Sequence, residues 1–194
     1  MATRSFTADD DTAAGLGPID RATLGGAGIL RYQLNVFGLT TQDVVRSAGG
    51  WLYDSARAGW DVNVLVAGGG DPRPLTILGA RAFDLDQSFL SMVQRASHGE
   101  AFAVSADLLD ADACVRDEVL RVLKRGLTEV TVWGTRWPAE LGRQADSVQH
   151  RVSAAARAFK SHALVAADVS TDSVTPTETL FRIGTGSFRP LYSA

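Results

Sequence analysis

"VNVLVAGGGDPRP", residues 62–74, decides how the rest of the chain is read. Val62, Val64, Leu65 and Val66 leave only Asn63 polar, which is the composition of a strand covered on both faces. Three glycines, an aspartate and two prolines follow. A dinucleotide-binding fingerprint needs G-x-G-x-x-G between a strand and a long helix, with an acid about 20 residues further on. Here the glycines are contiguous, the next residue is an acid, and Pro72 and Pro74 lack backbone donors. An acid at a helix start also repels a phosphate, and no P-loop lysine is present. Gly68–Gly70 therefore read as a turn. Asp71 and Pro72 read as the cap and first residue of a short helix, "PRPLTIL", closed by Gly79 and followed by a strand "RAFDL". A hairpin between 62–67 and 75–80 is the competing reading.

Upstream, "ILRYQLNVFG" (29–38) predicts a strand, and Thr40 or Thr41 caps the helix "QDVVRSAGGWLYDSARAG". Asp43 falls in its first turn, where the dipole favours a carboxylate. Val44, Ala48, Trp51 and Leu52 share one side, while Arg46, Tyr53, Asp54 and Arg57 share the other. Gly49 and Gly50 each cost roughly 1 kcal/mol against alanine in a helix, so they point to a close backbone approach.

Downstream, "DQSFLSMVQRAS" carries Phe89, Val93 and Ala96 on one helical face, and "AFAVSA" (101–106) reads as a strand. Asp110 is the expected cap of "ADACVRDEVLRVLKRG", whose last turn is basic. "TEVTVWG" (128–134) predicts a strand, "RQADSVQHRVSAAARAFK" a helix and "HALVAAD" (162–168) another strand. A turn at Pro176 and a strand at "TLFRIG" close the pattern. Alternating strands and helices with long connections predict an α/β fold, a three-layer sandwich on a mainly parallel sheet, Rossmann-like or flavodoxin-like. Residues 1–20 read as a flexible arm, 21–184 as a single α/β domain and 185–194 as an extended tail.

Composition narrows the function classes. Of 194 residues 45% are hydrophobic and 21% charged, an ordinary globular mixture. A net charge of −3 gives no field that draws the chain to nucleic acid or an anionic membrane. No apolar run reaches the roughly 18 residues of a membrane span. The start, "MATRSFTADDDTAAGLGP", lacks the apolar stretch of a secretory signal, so a cytoplasmic location is expected. Cys114 is the only cysteine, which excludes an intrachain disulfide. Only Lys124 and Lys160 are lysines among 19 basic residues, a GC-rich bacterial coding bias from which no function is drawn.

In a parallel sheet the polar residues at strand exits collect along one rim. The ligand-binding candidates there are Gly69, Gly70, Asp71, Arg73, Asp107, Arg136, Trp137 and Asp168. Ser105, Gly134 and Ser170 lie beside them. Trp137 with Arg136 would form a stacking shelf with a charged clamp, while Trp133 fills the core. Asp71, Asp107 and Asp168 have no spacing that requires a metal, and His98, His150 and His162 fit no metal-binding pattern. No metal and no cofactor are expected. Cys114, in the first turn of its helix, reads as a packed, inert thiol. Arg143, His150, Arg151, Arg157 and Lys160 read as a solvated helix face rather than a nucleic-acid surface.

Two functions stand. The first is a non-catalytic binding or assembly module, with a protein partner or self-association through Phe188, Leu191 and Tyr192 of the tail. Its motivation is the lack of any familiar catalytic constellation. The alternative is an enzyme or sensor that binds a small anionic or nucleotide-like ligand at the carboxyl edge of the sheet. Arg73 or Arg136 is then the clamp, and Asp107 or Asp168 the acid or base.

Overall fold

Val64, Leu65 and Val66 are each no more than 1% exposed, so the opening stretch is a strand covered on both faces. The computed structural model describes residues 32–85, 89, 93, 100–126, 128–134 and 146–183. The expected arm, the tail with Phe188, Leu191 and Tyr192, and the Arg136–Trp137 pair lie outside those residues.

The strands are β1 (Gln33–Gly38), β2 (Asp61–Val66), β3 (Arg81–Asp84), β4 (Glu100–Ser105), β5 (Val130–Trp133), β6 (Asp146–Arg151) and β7 (Thr177–Ile183). They form one seven-stranded sheet in the order β3-β2-β1-β4-β5-β7-β6. From β3 through β5 every pairing is parallel, with Leu34 opposite Val62, Val36 opposite Ala103 and Val104 opposite Val132. β7 runs antiparallel to both β5 and β6. The sheet is thus mixed, and the α/β class holds.

Among the described residues run the α-helices α1 (Thr41–Arg57), α2 (Arg73–Ile77), α3 (Ala106–Ala111), α4 (Ala113–Arg125) and α5 (Ala154–Ala166), and a 3-10 turn at Thr171–Ser173. Side chains alternate between the faces of a strand, and the two apolar cores follow that alternation. Leu34, Val36, Val62, Val64 and Val66 join one core with α1, α2, α5 and Trp133. Phe37, Leu65, Phe102, Val104, Val130 and Val132 join the other with α3, α4, Phe89 and Val93. No helix among the described residues is long and apolar enough to cross a membrane.

α1 forms as its sequence predicts. Thr40 is the cap, and its hydroxyl accepts from the Asp43 N–H at 3.1 Å. The face of Val44, Val45, Ala48 and Leu52 is fully buried. At about 1.5–3 kcal/mol for each large apolar side chain, that burial outweighs the roughly 2 kcal/mol cost of Gly49 and Gly50. Gly50 does serve a close approach, whereas Gly49 meets only the ends and stems of flexible side chains. A Cβ on Gly50 would lie 2.6 Å from Val152 Cγ1 and 3.0 Å from Glu178 Oε1.

That carboxylate belongs to a buried network. Glu178 accepts from the Gly50 N–H at 2.8 Å, from the Trp51 N–H at 2.7 Å and from Lys160 Nζ at 2.6 Å. Lys160 also donates to the Arg46 carbonyl at 2.7 Å. Both side chains are no more than 2% exposed. Lys160 therefore does not belong to a solvated basic face. Tyr53 is also buried rather than outward, stacked on Phe159 with ring centroids 4.6 Å apart.

Other expectations are corrected at the same level. The helix expected from Arg143 to Lys160 divides at Ser153, which caps α5 through the Ala156 N–H, and residues 146–151 form β6 instead. The expected strand at 162–168 is the end of α5, because Ala163 and Leu164 pack into the first core as part of a helical face. α4 is capped by Asp112 rather than Asp110, through the Cys114 and Val115 N–H groups. Cys114 is exposed, not packed. Asp71 sits one residue further out than expected: Pro72 is at the cap position of α2, and Asp71 Oδ1 accepts from the Arg73 N–H at 2.9 Å.

Candidate functional site

The strand order reverses direction between β1 and β4, since β2 and β3 lie to one side and β5 to the other. In open parallel sheets the crevice at such a reversal, outside the carboxyl ends of the strands, is where ligands bind. Two glycines bring the flanking helices down onto it. A Cβ on Gly38, the last residue of β1, would lie 2.3 Å from Val44 Cγ2, so the first turn of α1 rests on the strand end. Gly134, just past β5, has φ 146°, and a Cβ there would lie 2.7 Å from Ala106 Cβ at the start of α3. Ser105, fully buried at the end of β4, caps α3 by accepting from the Leu108 N–H at 3.1 Å.

Asp43 stands at this crevice, half-buried in the first turn of α1. Its Oδ1 accepts from Ser47 Oγ at 3.0 Å and its Oδ2 accepts from Trp133 Nε1 at 3.1 Å. Trp133 is fully buried, as expected of a core residue, and its indole N–H is spent on this one carboxylate. A carboxylate offers about four acceptor positions, so Asp43 keeps capacity for a further donor. Beside it, the turn after β2 is tied to the exit of β1 by the Ala67 N–H on Gly38 O and the Gly68 N–H on Leu39 O. Gly69 and Gly70 take φ 61° and 128°, the left-handed region that disfavours a side chain. Cβ atoms there would lie 3.6 Å from Asp84 Oδ1 and 3.8 Å from Thr41 Oγ1.

The sequence candidates distribute unevenly around this crevice. Gly69, Gly70 and Asp71 follow β2, and Arg73 Nε lies 3.6 Å from Asp71 Oδ2, both exposed. Asp107 is exposed in the first turn of α3. Asp168 follows the C-terminus of α5 with φ 55°, so it does not mark a strand exit. Among the described residues no group of three or more His, Cys, Asp or Glu side chains is placed to hold a metal ion. The feature missed from sequence is the Asp43–Trp133 contact. Asp43 was legible as a dipole-compensating residue and Trp133 as core, but nothing local joins them.

No family model matches this sequence, and no curated protein matches it. Solved structures do match its fold. A deacetylase of teicoplanin biosynthesis in complex with teicoplanin superimposes with a TM-score of 0.58 at 12% identity, over 80% of this chain and 100% of that one. The same pathway's deacetylase in a second complex gives 0.54 at 13% identity, again over 80% and 100%. The deacetylase of the antimicrobial A40926 pseudoaglycone gives 0.53 at 16% identity, over 79% and 98%. What these structures share with this chain is the α/β fold. These neighbours are enzymes, and that finding overturns the expectation of a non-catalytic binding or assembly module.

Proposed function

We propose that this chain is an enzyme whose site is the carboxyl-edge crevice between β1 and β4, and that it removes an acyl group from a small molecule by hydrolysis. The overall arrangement reads as a three-layer, Rossmann-like sandwich, with the crevice at its open edge. The observation that carries the function is the fixed carboxylate of Asp43, held by Ser47 and Trp133 at the point where the strand order reverses. Likeness to deacetylase structures supports the reaction class, and Asp43, half-buried and held by two side-chain donors where Asp71 is exposed and turned to Arg73, is supported as the reacting group.

In this reading Asp43 accepts a proton from a water molecule, whose oxygen attacks the acyl carbonyl carbon. The carbon–nitrogen or carbon–oxygen bond then breaks, and the proton passes to the departing amine or alcohol. The products are a carboxylic acid and the deacylated substrate. Ser47 and Trp133 hold the carboxylate at one angle to that water, which is the entropic part of the rate gain. Arg73, on the rim with Asp71, is available to an anionic substrate group. The described residues do not fit a resident metal ion: no group of three or more His, Cys, Asp or Glu side chains is placed among them to hold one. No step is routed through one.

The test is release of acetate from a panel of N- and O-acetylated small molecules, teicoplanin among them. Turnover that falls by about 100-fold or more in Asp43→Asn supports the assignment. Turnover unchanged by Asp43→Asn removes Asp43 from the reaction, and no release from any substrate overturns the reading.

A further inference from the structure

The buried Lys160–Glu178 pair is not explained by burial alone. Removing two charges from water costs several kcal/mol per ion, and apolar side chains of similar size would fill the space without that cost. What the pair supplies is direction. The Arg46 carbonyl and the Gly50 N–H are acceptor and donor of one helical i→i−4 step, and the pair meets both, Lys160 at the carbonyl and Glu178 at the N–H. The Trp51 N–H, one residue on, meets the second Glu178 oxygen. Gly50 has no Cβ in the way, and the Lys160 stem passes at an ordinary contact distance, 3.6 Å, from where a Gly49 Cβ would be. Apolar packing tolerates small slides of a helix along its axis, whereas hydrogen bonds to three main-chain groups in its middle do not.

Asp43 lies seven residues before Gly50, two helical turns along α1 and within about 20° of the same side. A shift of the helix at Gly50 reaches Asp43 undiminished, and the Asp43–Trp133 contact links α1 to a different strand. We propose that Lys160 and Glu178 are positioning residues, which fix the axial register of α1 and so hold Asp43 against the Trp133 indole. The catalytic consequence rests on the function proposed above; the positional one does not.

The experiment follows the Trp133 indole N–H by NMR in protein labelled at its four tryptophans, the signal assigned by its loss in Trp133→Phe. Asp43→Asn gives the reference position for an altered partner. In folded Lys160→Met and Glu178→Gln the signal is expected to move toward that reference, with kcat down about 10-fold or more and KM within about twofold. A folded variant with lower Tm and the signal unmoved overturns the proposal, because a merely structural pair would behave that way. Where Lys160→Met does not fold, Glu178→Gln, which keeps size and one acceptor, decides. Hydrogen exchange in the unmodified protein answers without substitution. The Gly50 and Trp51 amides and the Trp133 indole are expected to open together with one free energy. An indole that exchanges freely while those amides stay protected overturns the proposal. A moved indole signal in a chain without acyl hydrolysis leaves positioning intact and sinks only the functional reading.

Discussion

Trp133 and Asp43 stand 90 positions apart in sequence, and the indole N–H of the first meets the carboxylate of the second at 3.1 Å. The bond ties the exit of β5 to the first turn of α1 across the crevice. Trp133→Phe keeps most of the ring volume and removes the donor. The expected cost is about 1–3 kcal/mol in chemical denaturation, since a charged acceptor loses a buried partner. Acyl-hydrolysis kcat is expected to fall with it. A stability loss without any change in kcat would mean that the indole serves packing only.

Gly50 sets two effects against each other. Alanine there gains roughly 1 kcal/mol of helix propensity. Its Cβ would also sit 2.6 Å and 2.9 Å from the two methyls of Val152 and 3.0 Å from Glu178 Oε1. Val152 is buried and cannot move freely, and overpacking of this kind costs about 1–3 kcal/mol. Gly50→Ala is therefore expected to lower stability, and Gly49→Ala, whose Cβ meets the flexible end of Leu78 at 3.3 Å and the Lys160 stem at an ordinary 3.6 Å, to leave it unchanged or slightly raised. Urea denaturation of the two variants side by side checks the order.

The parallel half of the sheet was legible because "VNVLVA" and "AFAVSA" are short apolar runs bounded by turn residues, and β2, β1, β4 and β5 do lie side by side in one direction. The second half was not, for a physical reason. β6 is an edge strand, "DSVQHR", whose exposed residues are as polar as a helix surface, so its period is masked. α5 carries alanines and a buried lysine on its inner face, so the reading that put Lys160 outward also shifted the helix. The crevice was legible as a rim of loops. The group fixed within it depended on a contact between two distant elements, and no local spacing announces that.

Asn35 and Asn63 face each other on β1 and β2, both fully buried, and one amide hydrogen bond of 3.1 Å joins them. Among the described residues Asn35 Nδ2 and Asn63 Oδ1 have no hydrogen-bond partner. Replacing one asparagine leaves the other amide wholly unpaired, at a cost of about 1–3 kcal/mol. Replacing both by valine removes the unpaired groups and suits a central strand. Asn63→Val is expected to destabilise, and the Asn35→Val, Asn63→Val double variant to recover to wild-type stability or above. Equal destabilisation by single and double variants would show that the pair interacts with something beyond itself.

Glu129, just before β5, lies 3.2 Å from Arg182 Nε of β7. Burial pushes its carboxyl above the ordinary glutamate range, and the Arg182 guanidinium opposes that only in part. A carboxyl raised in the folded state binds protons more tightly there than in the unfolded chain, so folding gains from it at low pH and loses that gain as pH rises through the folded value. Glutamine at this position has no such dependence. The melting temperature of Glu129→Gln minus that of wild type is therefore expected to increase from acid to neutral pH. The ion pair alone would give the opposite slope, because a carboxylate stabilised by Arg182 favours folding as it ionises. Thermal melts of both proteins across that range decide which environment governs the carboxyl.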